Sequence, residues 1–198
     1  MKKEKIALVT AVISACIWFF MTTYYVWLIM QNEIQPVLTT WILFCVAVSL
    51  SFRTYWSSKK HSVVGNIGNF IDLGVVWLIL LSILLFGKNI NFAFNTFETC
   101  CLVASLGILL FWKLSKQHML SNIALQVIIT VAYFPTIYRL WYATQNTESF
   151  SVWSIWLIGV SASLATVILH KDTLGIIYSS RAFVLVLIIM ILMLRIMV

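Results

Sequence analysis

Residues 183–194 read FVLVLIIMILML, and residues 75–86 read VVWLILLSILLF. Neither stretch contains a charged residue, and neither alternates apolar with polar positions as the strands of a membrane barrel do. Because a backbone inside the hydrocarbon layer must satisfy its own hydrogen bonds, uninterrupted apolar runs of this kind indicate membrane-spanning helices. The sequence therefore predicts an all-α membrane protein.

The composition of the whole chain agrees with this prediction. Of 198 residues, 62% are hydrophobic and 10% are charged, and the mean hydropathy is +1.01. These values exclude a water-soluble globule. Since a spanning helix needs about 20 residues, the chain has room for about seven crossings and for no separate extramembrane domain.

Seven apolar segments can be drawn along the chain, separated by short polar breaks. We predict helices over residues 6–30, 37–56, 66–86, 92–112, 120–142, 151–169 and 174–197. The start of the last helix stays open between residues 174 and 181.

The basic residues are distributed unequally between the two sides that seven crossings would create. On the N-terminal side lie ten of the 13, and the remaining three lie opposite. The positive-inside rule then predicts a cytoplasmic N-terminus, a C-terminus across the membrane and, with such short loops, a bacterial inner membrane. The ten are Lys2, Lys3, Lys5, Arg53, Lys59, Lys60, Lys113, Lys116, Lys171 and Arg181, and the three are Lys88, Arg139 and Arg195.

The N-terminus also resembles a lipoprotein signal, because three lysines precede an apolar run that reaches Cys16. The apolar run continues to Met30, which is too long for a signal segment. We therefore expect this region to be retained as the first helix.

A weak internal repeat relates the two ends of the chain. A shift of 115 residues places Glu33 on Glu148 and Trp41 on Trp156. Such a shift pairs segments 1–3 with segments 5–7 and leaves segment 4 as a connector, which makes the two three-helix units parallel. We predict a first bundle over 1–86, a connector helix over 87–119 and a second bundle over 120–198.

This 3+1+3 plan resembles that of the PQ-loop and SWEET group of small-solute transporters. Residues 132–137, AYFPTI, and residues 147–153, TESFSVW, are similar to that group's Pro-Gln helix and to the entry into its next helix. The chain departs from the pattern at Thr136, which replaces the glutamine, and at Phe20, which replaces the proline of the first repeat.

Trp153 and Trp156 also resemble the Trp-x-x-Trp motif of the Pnu vitamin-precursor transporters, which have the same helix count and a similar N-terminal orientation. Their motif ends in Asn or Asp at the position that Val160 occupies here. The chain therefore resembles the superfamily as a whole and no single family within it.

Polar residues within segment 3 form the first candidate site. Asn66, Asn69 and Asp72 recur every three residues and so share one helical face. A carboxylate inside a membrane segment is costly and should face protein or water. The resemblance to SWEET proteins implies a substrate contact at Asn69. The alternatives are that both asparagines belong to the helix entry, and that Asp72 forms a structural pair with Arg181 or a lysine.

Four further residues complete the set of candidates. We favour membrane-interface anchors for Trp41 and Trp156, with stacking of a flat solute between them as the alternative. Pro135 removes a backbone hydrogen bond and could act as a hinge in segment 5. Arg181, at the start of segment 7, joins the substrate-binding set.

Two other polar residues, Glu98 and Gln126, are expected inside segments 4 and 5. Either could bond to a neighbouring helix instead of a ligand. Glu98, like Asp72, could also couple transport to protons.

The sequence gives little support for an enzyme, a metal site or a nucleic-acid-binding protein. The three histidines are scattered over the loops, and no phosphate-binding glycine loop or nucleophile-base pair is evident, so we predict no enzyme, cofactor or metal. The basic residues are too dispersed for nucleic acid. The four cysteines have no paired spacing and are interpreted as buried packing residues. They are Cys16, Cys45, Cys100 and Cys101.

The sequence thus predicts a carrier, either a facilitator or ion-coupled, for a small polar solute such as a sugar, vitamin precursor or amino acid. Its expected partners are that solute and the lipid bilayer, and self-association is left open. The alternative is a non-transporting subunit or receptor that binds a protein partner on an inherited transporter scaffold, as the altered motif positions would allow.

Overall fold

The computed structural model describes residues 2–56, 67–88, 94–114, 118–169, 171 and 173–197 of the chain. Over these residues the regular structure is entirely helical, which confirms the predicted helical class. The helices are α1 (Lys2–Gln31), α2 (Leu38–Trp56), α3 (Ile67–Phe86), α4 (Thr96–Leu114), α5 (His118–Tyr142), α6 (Phe150–Leu169) and α7 (Thr173–Met197).

Four of these helices contain a stretch long and apolar enough to cross a membrane. The stretches are Thr96–Leu114, Ile123–Tyr142, Phe150–Leu169 and Gly175–Met197. In α1, α2 and α3 the corresponding apolar parts of the described chain are shorter, at Ala15–Gln31, Leu38–Arg53 and Phe70–Phe86. Large apolar side chains also cover the outer faces of the helices, for example at Phe19, Leu85 and Val103. Together these features indicate a membrane-embedded protein.

Most helix boundaries lie close to the predicted ones, and α4 shows the physical cause of one difference. This helix begins at Thr96 and not at residue 92. The side chain of Asn95 accepts a hydrogen bond from the Glu98 backbone N–H at 2.8 Å, and the Glu98 carboxylate accepts one from the Asn95 N–H at 3.0 Å. This reciprocal capping box fixes the helix start. The apolar periodicity of the sequence alone does not predict this helix start.

We refer to α1–α3 and to α5–α7 as the two helix groups. α3 contacts both α1 and α2, and α7 contacts both α5 and α6. Between the groups, α1 packs on α6 and α2 packs on α5. α4 lies against α5, with a smaller contact to α2. The central space is therefore bounded by helices from both ends of the chain.

A close approach brings α1 against α6 at Gly159. A Cβ atom at this position would lie 3.3 Å from Cγ2 of Ile17 and 3.5 Å from the Trp18 ring. Such a distance is short for a carbon contact, so the absence of a side chain lets the two helices approach. Small residues have this role widely in membrane bundles, where packing replaces the hydrophobic effect between helices.

The prediction of four buried cysteines is wrong for two of them. Cys45 and Cys101 are buried, whereas Cys16 and Cys100 are exposed on the outer surface of the bundle. In a helix that is apolar on every side, the sequence does not distinguish a residue facing lipid from one facing the core. The tertiary contacts alone decide which face is which.

Candidate functional site

A cavity of about 50 Å³ lies between the two groups of helices. This volume holds no more than a few water molecules. Six helices contribute to its wall, and only α4 among the described helices does not. The lining residues are Trp18, Phe44, Val48, Asp72, Val75, Val76, Ile129, Tyr133, Trp156, Val160, Tyr178, Arg181 and Ala182.

The charged groups of the cavity are organised around Tyr178. Its hydroxyl donates a hydrogen bond to Oδ2 of Asp72 at 2.6 Å. The guanidinium of Arg181 lies over the face of the same ring, with Cζ 4.7 Å from the ring centroid. No ion pair joins Asp72 directly to Arg181, and both residues lie in the described part of the chain. The alternative of a direct pair between Asp72 and Arg181 is therefore wrong, and Tyr178 instead contacts both residues.

Arg181 is anchored from α5 by Gln126. Its Nη1 donates to Oε1 of Gln126 at 2.6 Å and to the Gln126 carbonyl oxygen at 3.3 Å. Its Nε is buried and has no hydrogen-bond partner within the described residues. Gln126 therefore bonds to a neighbouring helix, which is one of the two roles expected for it. The guanidinium retains an unsatisfied donor.

Aromatic rings form another part of the cavity wall. Trp156 lies against Trp18 in an edge-to-face contact, with centroids 5.6 Å apart, and against Tyr133 at 6.5 Å. On its other side Trp156 stacks on Trp153, with a centroid distance of 4.8 Å and an interplanar angle of 5°. Rings held on several sides in this way have little rotational freedom. The cavity thus has a rigid aromatic wall.

Trp41 lies behind this wall. It is 1% exposed and packs against Trp156, 8% exposed, with ring centroids 6.1 Å apart. Anchoring at the membrane interface, the interpretation favoured from the sequence, is wrong for both residues, because an anchor must face the lipid headgroups. The two repeat-related tryptophans contact each other across the boundary between the helix groups. They leave no gap between them for a solute, and only Trp156 lines the cavity.

The remaining predicted site residues fall in different places. Asp72, Trp156 and Arg181 share the cavity wall. Asn66 lies outside the described residues, as does the side chain of Asn69, whose backbone belongs to α3. Among the described side chains of the polar stripe in segment 3, Asp72 lines the site. Substrate contact at the two asparagines stays a prediction.

Pro135 is buried within α5, which continues on both sides of it from His118 to Tyr142. The next residue, Thr136, has its hydroxyl 2.9 Å from that of Thr40 in α2. This contact links the two helix groups one residue beyond the position where the proline removes a backbone hydrogen bond. A hinge at Pro135 stays a prediction, with an interhelical contact beside it.

Glu98 does not occupy the interior position expected for it. Its carboxylate closes the capping box with Asn95 in the first turn of α4. α4 contributes nothing to the cavity wall among the described residues. The geometry therefore gives Glu98 a role in helix capping, and it corrects the expected interior position of this residue.

A second polar cluster lies at the end of the bundle where the α1–α2 loop and the α5–α6 loop meet. Glu148, in the loop before α6, is 4% exposed. The hydroxyl of Tyr25 in α1 donates to its Oε2 at 2.7 Å, and the indole N–H of Trp153 donates to the same oxygen at 3.4 Å. Nη2 of Arg139, in the last turn of α5, lies 3.4 Å from Oε1. One carboxylate thus joins α1, α5 and α6.

The same cluster ties together the two loops at this end. The backbone N–H of Gln35 donates to the carbonyl of Thr147 at 3.0 Å. Nη2 of Arg139 also donates to the Gln35 carbonyl. We call the five residues Tyr25, Gln35, Arg139, Thr147 and Glu148 the loop clasp. It connects the α1–α2 loop to the α5–α6 loop and covers the bundle at that end.

Burial determines the protonation behaviour of Glu148. Removal of the carboxyl group from water raises its pKa above the ordinary value. The nearby Arg139 guanidinium and the hydrogen bonds from Tyr25 and Trp153 act in the opposite direction and offset this effect only in part. The raised pKa means that the protonated form of Glu148 is favoured in the folded protein relative to an exposed glutamate.

Sequence reasoning missed several residues of both clusters. Tyr178 was detectable in principle, because it lies three positions before Arg181 and hence on the same helical face. Tyr133 belongs to the quoted segment AYFPTI. Glu148 entered as a repeat match to Glu33, which is exposed in the structure, and as part of the quoted segment TESFSVW, but not as a site residue. Arg139 entered only in the count of basic residues, since its partner is a loop residue that no helical pattern relates to it.

Comparison with protein-family models and with characterised proteins finds no match for this chain.

Proposed function

We propose that the protein is a membrane transporter that moves a small polar solute by alternating access between two three-helix units. The observation that carries the proposal is the cavity, which both units line and which holds the charged groups of Asp72 and Arg181. Charged side chains inside a membrane bundle are costly and typically belong to a substrate or ion pathway. A structural subunit has no comparable need for them.

The helix packing supports a two-unit mechanism. Exchange of α1, α2 and α3 for α5, α6 and α7 converts each contact within one unit into a contact of the other. It also converts the contact of α1 with α6 into that of α5 with α2. This is the pattern expected of two parallel repeats related by an axis along the membrane normal. On this proposal all seven helices span the membrane, with α4 as the connector.

One end of the proposed pathway is covered and the cavity is small, as expected of a carrier in a closed state. The loop clasp covers one end, and the cavity is too small for a sugar or an amino acid. Transport therefore requires the two units to separate, which breaks the clasp on one side. Rocking of rigid units around a central site accounts for such a step. The Thr40–Thr136 contact and Pro135 lie at the interface between the units that would move.

The proposed orientation places the N-terminus in the cytoplasm and the loop clasp on the opposite face of a bacterial inner membrane. It is supported by the ten basic residues on the N-terminal side. The similarity to PQ-loop and SWEET transporters belongs to the same proposal, and no cofactor or catalytic chemistry is needed for it.

The test is uptake by the purified protein reconstituted in liposomes, against a panel of radiolabelled sugars, amino acids, nucleosides and vitamins. We expect one class to accumulate inside the liposomes, and Asp72→Asn to lower its rate at least about tenfold. Glu33→Gln is the matched control, because Glu33 is an exposed carboxylate outside the cavity. No uptake of any class, together with stable copurification of a protein partner, would favour the subunit or receptor alternative.

A further inference from the structure

We infer that the site around Asp72 and Arg181, once separation of the two units has enlarged the cavity, selects a zwitterionic solute with an apolar side group, of the amino-acid type, over neutral sugars and over solutes with a single charge. This inference rests on the proposed transport function and names the substrate class of the same site. It is carried by the opposite charges of Asp72 and Arg181, by the contact that Tyr178 makes with each of them and by the apolar remainder of the wall.

The charge balance of the cavity gives the first argument. With Asp72 and Arg181 both ionised, the site has no net charge. Binding a lone cation or anion would leave an uncompensated charge in a medium of low dielectric constant, which is unfavourable. A zwitterion brings one charge for each side chain and leaves the total unchanged.

Arg181 offers a place for the carboxylate. Gln126 occupies Nη1, whereas Nε is buried without a partner. A guanidinium binds a carboxylate best through two N–H groups, and a ligand carboxylate on the Nε side would satisfy the orphaned donor. Because Gln126 holds the guanidinium from a second helix, the group is already oriented before the ligand arrives.

Asp72 offers a place for the ammonium group. Its Oδ2 accepts the hydrogen bond from Tyr178, and its Oδ1 has no hydrogen-bond partner among the described residues. Trp18 and Trp156 belong to the same wall, and aromatic rings are favourable neighbours for a cation. No ion pair joins Arg181 to Asp72, both of which the structure describes, so positions on both groups stay available to a ligand.

The rest of the wall specifies the remainder of the ligand. Apart from the two charged residues, the polar atoms of the lining side chains are those of two tyrosines and two tryptophans. A sugar needs a hydrogen-bond partner for most of its hydroxyl groups, and these residues supply few. Aliphatic and aromatic side chains such as Phe44, Val76 and Ile129 instead suit an apolar side group.

The experiment compares probes of matched shape on the full-length protein in lipid nanodiscs, with thermal stabilisation as the readout. L-phenylalanine has both charges, phenethylamine lacks the carboxylate, 3-phenylpropionate lacks the ammonium group, and glucose is the neutral probe. We expect L-phenylalanine to bind at least about tenfold more tightly than each of the others.

Two variants assign the charges to the side chains. Arg181→Gln should weaken L-phenylalanine binding and strengthen phenethylamine binding, because the lone ammonium group then balances the charge of Asp72. Asp72→Asn should weaken L-phenylalanine binding and strengthen 3-phenylpropionate binding, because the lone carboxylate then balances the charge of Arg181. Arg195→Gln is the matched control, because this arginine of α7 bonds to the carbonyls of Leu140 and Trp141 and does not line the cavity. Where a variant does not fold, the comparison of the four probes on the wild type decides.

The outcomes separate the substrate class from the transport function. Glucose binding that survives Arg181→Gln, together with glucose uptake by liposomes, would overturn the zwitterion class and leave the transporter intact. Tight binding of phenethylamine or of 3-phenylpropionate alone would also overturn it. Absence of both binding and uptake for every class in the liposome panel would overturn the transport function and the class with it.

Discussion

The hydroxyl group of Tyr25 lies 2.7 Å from Oε2 of Glu148, a contact between residues 123 positions apart in the chain. It joins α1 to the loop that precedes α6, and hence one three-helix unit to the other. The charged groups around Tyr178 lie toward the start of α3 and of α7. The bundle thus has two polar clusters with an aromatic layer between them, and each cluster makes a separate prediction.

We expect Glu148→Ala to destabilise the protein by about 3 kcal/mol, the lower end of the range for breaking a buried ion pair. The lower end applies because the side chain of Arg139 is 31% exposed and regains some solvation. Unfolding by denaturant in mixed micelles measures the loss. Glu33→Ala is the control, since Glu33 occupies the equivalent repeat position but is exposed. Equal effects of the two variants would contradict a role for the loop clasp.

The stability of the protein should depend on pH through Glu148. Its pKa is raised in the folded state, so the folded protein holds a proton that the unfolded chain releases. The resulting stabilisation is fully present below the unfolded pKa and is lost as the pH rises through the folded pKa. Tyr25 and Arg139 are the titratable and charged groups that contact this carboxylate.

The measurement is the melting temperature of the wild type and of Glu148→Gln as the pH is raised from about 4, just below the model-peptide pKa of glutamate. The amide imitates the protonated acid, so the wild type should lose stability relative to the variant as the pH increases. The opposite trend would mean that attraction to Arg139 outweighs the cost of burial.

The hydroxyl groups of Thr40 and Thr136 form an isolated polar contact between α2 and α5, and both residues are 1% exposed. Thr136→Val leaves the Thr40 hydroxyl without this partner and should cost about 1–3 kcal/mol. The double variant Thr40→Val/Thr136→Val should cost less than the sum of the two single changes, because no partner is then orphaned. Strict additivity in an unfolding experiment would contradict the contact.

Trp156 should be the most consequential aromatic residue of the cavity. Trp156→Ala removes contacts to Trp18, Trp41, Tyr133 and Trp153 and should cost about 3–5 kcal/mol, the range for deletion of a buried large aromatic ring. Trp27→Ala is the control, because Trp27 is exposed on the outer face of α1. A similar loss of melting temperature in both variants would place Trp156 outside the core.

Much of the fold is predictable from the sequence because a membrane helix is specified by the length and apolarity of its own segment. The seven helices and most of their ends follow from this. The start of α4 does not, because it depends on the local capping box between Asn95 and Glu98. Of the site, Asp72 and Arg181 were detectable as charges within apolar runs, and their position in one cavity was not.

The sequence by itself therefore determined the helical class, the apolar segments and the polar residues that a membrane interior makes costly. Only the tertiary structure decided that Trp41 and Trp156 contact each other, that Tyr178 contacts both Asp72 and Arg181, and that Glu148 closes the end of the bundle. The physical reason is that helices apolar on every side do not distinguish core from lipid. Which faces meet is settled by side-chain packing and by a few hydrogen bonds between distant segments.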